Sequence, residues 1–255
     1  MPQTVFITGA SSGIGTAFAE HYARRGATLG LVARRADALA SLAARLGTPA
    51  ATFPLDVADT DAVRSAAEAF MAAHGVPDVV IANAGISVGT EGGAPEDVAV
   101  LERILRVNVV GLAATLQPFV APMRARGSGR LVGIGSVSGV RGLPGAGAYC
   151  ASKAAAMTLL ESLRLDCHGT GVRVVTLSPG YIDTPMTRGN PYPMPFLMAP
   201  EKFAAKAAAA IERGTSYTVI PWQMGVAALA LRALPNRLYD RLFARAPRKP
   251  RGLPL

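Results

Sequence analysis

The stretch "TVFITGASSGIG", residues 4–15, restricts the fold more than any other part of the chain. An apolar, β-branched run ends in a turn containing Gly9, Gly13 and Gly15, and residues of helical period follow at once. A strand that feeds a glycine-rich turn and then a helix brings backbone N–H groups close to an anion, and the positive end of the helix dipole favours a phosphate there. The spacing is GxxxGxG rather than the commoner GxGxxG.

Six more runs of strand character follow, at 27–33, 51–57, 78–84, 130–136, 172–178 and 216–220. Helical segments lie near 13–25, 37–46, 60–74, 96–126, 149–168 and 200–213. Strands that are apolar almost throughout are buried on both faces, and this alternation predicts an α/β fold with a doubly wound parallel sheet and right-handed crossovers. With 255 residues, half of them hydrophobic, the chain can fill one large core, and no linker or repeat divides it. Residues 1–221 read as one domain and 222–255 as a basic amphipathic C-terminal extension.

Several function classes recede on composition. Cys150 and Cys167 fall on one expected helix, about 25 Å apart at ~1.5 Å per residue, so they are expected as free thiols. His21, His74 and His168 have no partner at ligand spacing, so no metal site is expected, and the three are read as surface residues. No 18-residue uncharged apolar run appears and the N-terminus lacks a signal-peptide layout, which makes a cytoplasmic protein the expectation. The net charge is +9, but residues 232–255 hold seven Lys/Arg against one Asp, so the body is nearly balanced and no nucleic-acid partner is expected.

"GAYCASKAAA", residues 147–156, sets Tyr149 and Lys153 four positions apart, neighbours on one helix face. Alone the pair carries little, but it stands in an ordered series: "TGASSGIG" (8–15), "LDV" (55–57), "ANAG" (82–85), "VN" (107–108), "IGSVSG" (134–139), "YCASK" (149–153) and "SPG" (178–180) followed by Thr184. Over residues 3–220 the chain thereby resembles the classical short-chain dehydrogenase/reductase family, whose fold is of Rossmann type. "ANAG" departs slightly from the family's usual two asparagines and leaves Asn83 as the matching position.

The resemblance implies an NADP(H)- or NAD(H)-dependent oxidoreductase that interconverts a carbonyl and an alcohol. Hydride transfer to a carbonyl creates an alkoxide that needs a proton, and a phenol of pKa about 10 suits this better when a nearby ammonium favours its phenolate. It assigns Tyr149 as acid/base, Lys153 as its tuner and ribose ligand, Ser136 as the holder of the substrate oxygen and Asn108 as organiser of a water relay. The cofactor would lie against Gly9, Ser11, Ser12, Gly13, Ile14 and Gly15, with Asp56 and Val57 at the adenine. Asn83, Ala84 and Gly85 follow the fourth strand, and Pro179, Gly180, Ile182 and Thr184 lie near the nicotinamide, beside Tyr149 and Lys153. After the second strand, Arg34 and Arg35 stand where an acidic side chain would select an unphosphorylated ribose, so NADP(H) is favoured over NAD(H).

Residues 184–200 occupy the place of the family's substrate lid. Their Met, Tyr, Phe and Leu side chains fit either a hydrophobic ketone or aldehyde substrate or simple packing of the lid. A nucleotide-sensing regulator would have no need of Ser136, Tyr149 and Lys153 together. A homo-oligomer is expected. In the extension, Leu238, Tyr239, Leu242 and Phe243 share one side of a helix expected over 236–245, with Arg237, Arg241 and Arg245 opposite. Such a face could dock on the protein's own body or a second subunit, or lie on an anionic membrane over residues 236–251 with help from Arg248, Lys249 and Arg251; docking is favoured, because the apolar face is small.

Overall fold

The computed structural model describes residues 3–252. Its seven strands are β1 Thr4–Thr8, β2 Thr28–Ala33, β3 Ala50–Pro54, β4 Val79–Ala82, β5 Gly129–Ile134, β6 Val172–Pro179 and β7 Tyr217–Ile220. All pair in parallel, in the order β3-β2-β1-β4-β5-β6-β7. The chain runs outward from β1 to β3 and then returns to the other side of β1 as β4. At such a reversal the loops after adjacent strands diverge and open a crevice at their C-terminal ends.

Side-chain alternation along β1 divides the core into two layers. Val5 and Ile7 point to one face, where Phe18 and Phe203 meet edge to face with ring centres 6.1 Å apart. Phe6 points to the other, 5.4 Å from Phe70 and 5.1 Å from Phe119. Full burial of each such side chain stabilises the fold by roughly 1.5–3 kcal/mol.

The helices flanking the sheet are α1 Gly13–Ala23, α2 Ala36–Leu46, α3 Thr60–His74, α4 Asp97–Leu105, α5 Gly111–Arg126, α6 Gly147–Asp166, α7 Pro185–Arg188 and α8 Pro200–Arg213. The Asp59 carboxylate caps α3 by accepting from the Ala62 N–H at 3.0 Å. The helix expected over 96–126 is divided by a π-helical turn, Arg106–Val110, and the extra residue in that turn helps direct Asn108 inward, where it is 1% exposed. The run Asp97–Arg126 is long and apolar enough to cross a membrane by length and composition, but Phe119 and Met123 are fully buried in the second core layer.

The strands expected over 51–57 and 78–84 end early, so Asp56, Val57, Asn83, Ala84 and Gly85 sit on the loops beyond them. Helix α6 begins at Gly147, which puts Tyr149 in its first turn. Cys150 and Cys167 are both free and buried. The surface expectation for His21 is corrected: its ring is half-buried edge-on to Tyr22, and burial together with Arg25 and Arg24 lowers its pKa.

The extension forms α9 Trp222–Ala233 and α10 Asn236–Phe243, the latter two residues shorter than expected. Arg141 fastens both to the body. Its guanidinium donates to the Leu234 carbonyl at 2.7 Å and to Asn236 Oδ1 at 2.8 Å, and it stacks 3.8 Å from the centre of the Tyr239 ring. Tyr239 in turn donates to the Gly142 carbonyl at 2.5 Å. The expected four-residue apolar face divides: Tyr239 is buried and Phe243 half-buried, whereas Leu238 and Leu242, one position round the helix, remain exposed.

Candidate active site

At the crevice the glycine-rich turn packs against the ends of β1 and β4. Gly13 has φ +54°, and a Cβ there would come within 2.9 Å of Thr184 Cγ2. A Cβ on Gly15 would overlap the Gly9 carbonyl, so the first turn of α1 can lie this close only with glycine. Asn83 ties the two strands together: its side-chain amide donates to the carbonyls of Thr8 at 3.0 Å and Gly9 at 3.3 Å. The result is a cleft of about 340 Å³ walled by the Gly9–Ile14 turn, Arg34, Arg35, Val57 and the Asn83–Gly85 loop.

An open cradle beside a helix N-terminus, with backbone exposed where side chains would obstruct, fits a dinucleotide. Arg35 donates to the Ser11 carbonyl at 3.2 Å and Arg34 lines the same wall, so both guanidinium groups flank the turn. Burial pushes the Asp56 carboxyl up, but the Ala58 N–H at 2.9 Å and the Arg103 guanidinium at 2.6 Å outweigh it and hold the pKa below its ordinary value.

Deeper in the cleft four side chains converge. Asn108 brackets Ile86, accepting from its N–H at 2.8 Å and donating to its carbonyl at 3.0 Å, and also donates to Ser152 Oγ at 2.9 Å. A Cβ placed on Gly85 would lie 3.2 Å from Asn108 Oδ1 and 3.7 Å from Lys153 Nζ, so the two groups face one small space. Lys153 is 5% exposed and donates to the Ile134 carbonyl at 2.8 Å; burial pulls its pKa down to about 8. Its ammonium is 5.9 Å from the centre of the Tyr149 ring. Burial pushes the Tyr149 phenol up to about 12, with the Ser136 hydroxyl acting the other way. Desolvation of the phenolate is the largest influence on this group. Ser136 Oγ accepts from the Ser138 N–H at 3.1 Å, which leaves its own proton to donate elsewhere.

A family model, short chain dehydrogenase, matches residues 3–192. The chain belongs to the short-chain dehydrogenase family. Among its relatives, an uncharacterized oxidoreductase of Myxococcus xanthus is 39% identical over 241 residues, 93% of this chain and 95% of that protein. Among solved structures, a short-chain dehydrogenase from Streptomyces avermitilis superposes with a TM-score of 0.80 at 27% identity, covering 96% of this chain and 97% of that one. An alcohol dehydrogenase from the archaeon Thermococcus sibiricus, complexed with 5-hydroxy-NADP, has a TM-score of 0.74 at 26% identity, with 85% and 95% covered. The protein is an oxidoreductase of the NAD(P)-dependent dehydrogenase/reductase type, acting on small molecules.

In this short-chain dehydrogenase a second hollow, of about 300 Å³, opens on the far side of Tyr149. Ser136, Tyr149, Gly180, Met186 and Thr187 line both cavities, so the two meet at the phenol. The segment 184–200 contributes Met186, Asn190 and Tyr192 to this hollow, while Met198 packs into the core and Phe196 and Leu197 stay exposed. The apolar residues of the segment thus divide, some lining the hollow and others packing on the core or staying exposed. Sequence reasoning missed Ser152, which carries the Asn108 amide, and Ser87 and Lys249, which line the second hollow. Lys249 gave no signal because "APRKPRG" reads as a solvated charge run between prolines.

Proposed function

We propose that the protein is an NADP(H)-dependent oxidoreductase that interconverts a carbonyl and an alcohol on a small molecule with a largely apolar body. The observation that carries this is the meeting of two cavities at Ser136 and Tyr149, one of dinucleotide character and one walled by Met186, Tyr181 and Tyr192. A nicotinamide dinucleotide bound in the first supplies or accepts the hydride.

The chain's own residues manage the proton. With its pKa at about 12, the Tyr149 phenol is protonated at neutral pH and donates that proton to the oxygen of a carbonyl being reduced. Ser136 donates its free O–H to the same oxygen and orients it. As the proton leaves, the Lys153 ammonium, 5.9 Å from the centre of the phenol ring, favours the phenolate. Asn108 is a positioning residue: by holding both backbone polar groups of Ile86 it fixes the loop that faces Lys153.

Two features support the phosphorylated cofactor. Arg34 and Arg35 flank the cleft, where charge-assisted hydrogen bonds would select a 2′-phosphate. The Thermococcus sibiricus neighbour holds an NADP derivative. Nicotinamide absorbance, followed with a panel of carbonyls and NADPH or NADH, tests the reading. Turnover is expected with NADPH at much higher kcat/KM, and none with either cofactor would refute it. We also infer a homo-oligomer, supported by the exposed Trp222, Val226 and Leu229 on α9. Sedimentation of the wild type against a triple serine variant tests it: a wild type that is already a monomer would refute it.

A further inference from the structure

The last described residues of the extension return to the catalytic body and cover the second hollow. The Gly89 N–H donates to the Pro250 carbonyl at 2.9 Å, and a Cβ on Gly89 would collide with the Lys249 carbonyl. On the outer side Arg251 pairs with Glu96 at 2.7 Å and Asp97 at 3.2 Å, and Arg248 approaches Glu91 at 3.5 Å. These ion pairs clamp the tail over the start of α4. Lys249, between the two arginines, turns inward.

Lys249 is only 8% exposed and lines the second hollow. Its ammonium donates to Ser87 Oγ at 2.8 Å and lies 5.9 Å from the centre of the Tyr149 ring, the same distance as Lys153. Among the described residues lining the hollow none is Asp or Glu, and the acids nearest along the tail are engaged by Arg248 and Arg251. An ammonium has three protons to donate, and one goes to Ser87. A buried charge without a counter-ion is costly unless a ligand supplies one. Burial accordingly pulls the Lys249 pKa below its ordinary value.

We propose that Lys249 is the anion-recognising residue of the substrate cavity and that the substrate is an oxo acid, reduced to a hydroxy acid. This rests on the carbonyl–alcohol reading above and narrows it: the apolar body of the substrate carries a carboxylate that pairs with Lys249 while its carbonyl oxygen faces Ser136 and Tyr149. The carboxylate takes no part in bond making. The carbonyl carbon gains a hydride from the reduced dinucleotide, its oxygen gains the Tyr149 proton, and the phenol recovers a proton from solvent.

The test is a set of oxo acids with two to five carbons between carbonyl and carboxylate, each paired with its methyl ester and assayed with NADPH. In the wild type at least one acid should exceed its ester in kcat/KM by tenfold or more. In Lys249→Met that ratio should fall at least tenfold, through KM of the acid, with the melting temperature within a few degrees of wild type. Gly89→Ala, which keeps the lysine but displaces the tail, should reduce the ratio in the same direction. An ester used as well as its acid by the wild type, or a ratio preserved in Lys249→Met, overturns the proposal. Turnover of neither acids nor esters overturns the reading beneath it instead. Lys249 is then judged by calorimetry with benzoate on the NADP-loaded protein: binding lost in Lys249→Met supports anion recognition, and absent or equal binding overturns it.

Discussion

Lys153→Met isolates the thermodynamic cost of holding a charge in the proposed catalytic centre. The ammonium is 5% exposed, and burial takes its pKa from the ordinary 10.5 to about 8. Below about pH 8 both the folded and unfolded chains hold this proton and the burial penalty is felt in full. Between about pH 8 and 10.5 the folded chain has released it while the unfolded chain still binds it, so the unfolded state holds more protons and stability rises with pH. At ~1.36 kcal/mol per pH unit, the whole interval is worth on the order of 3 kcal/mol, and most of it is recovered by pH 10. Methionine has similar length and does not titrate. Subtracting its urea-unfolding free energy from that of the wild type at pH 7, 8, 9 and 10 removes the groups common to both. Tyr149 does not disturb the difference, since its phenol, near 12, stays protonated throughout and loses a nearby cation in the variant. The wild type should gain about 2–3 kcal/mol on the variant from pH 7 to 10. A difference flat to within ~0.5 kcal/mol, or one of opposite slope, would refute the assignment of Lys153 as a buried, destabilised ammonium.

Other outcomes follow from the same geometry. Tyr149→Phe should lower kcat for carbonyl reduction by about 10²–10⁴-fold, the range for loss of a general acid, while leaving NADPH affinity by fluorescence within a few-fold. Arg34→Ala with Arg35→Ala should cost NADPH about 100-fold in kcat/KM, taking roughly 1.5 kcal/mol for each exposed charge-assisted contact, with NADH changed by less than about threefold. Arg35→Ala alone should cost NADPH about tenfold and NADH only slightly, the latter because that guanidinium also steadies the Ser11 carbonyl. Asn108→Ala strands the N–H and carbonyl of Ile86 and should lower stability by roughly 2–4 kcal/mol in urea unfolding, from an unpaired-group penalty of about 1–3 kcal/mol each.

The sheet was legible because its strands are apolar on both faces and separated by helical stretches of near-regular length, and β1 with its glycine turn announces the crevice. The positions of Ser136, Tyr149 and Lys153 followed from motif spacing, which the backbone preserves. Less of the surrounding geometry could be read. The π-turn at 106–110 has no hydrophobic period of its own, so one helix was expected where Asn108 interrupts it. The phenol's burial, which pushes its pKa up, depends on residues distant in sequence that motif spacing does not reveal. The tail was expected to dock through four apolar residues, yet Tyr239, Arg141 and the ion pairs of Arg248 and Arg251 hold it, and Leu238 and Leu242 face outward.

The charge of the extension takes on a different meaning once its partners are known. Seven basic residues against one acid suggest a surface for anionic polymers or lipids, but Arg141, Glu91, Glu96 and Asp97 of the body meet the tail at separate points, and Arg248 and Arg251 are engaged there. Lys249 lies inside, which leaves Arg237, Arg241 and Arg245 as the exposed remainder of α10 and its end. Tyr149 therefore has an ammonium from its own helix and another from the far end of the chain, each 5.9 Å from its ring centre, while burial of the phenolate pushes its pKa up to about 12. A carboxylate paired with Lys249 would cancel one of those cations and raise the phenol further. In the proposed reaction an anionic substrate thus strengthens the protonated state that carbonyl reduction requires, and Lys153 remains as the single uncompensated charge to receive the phenolate when the proton departs.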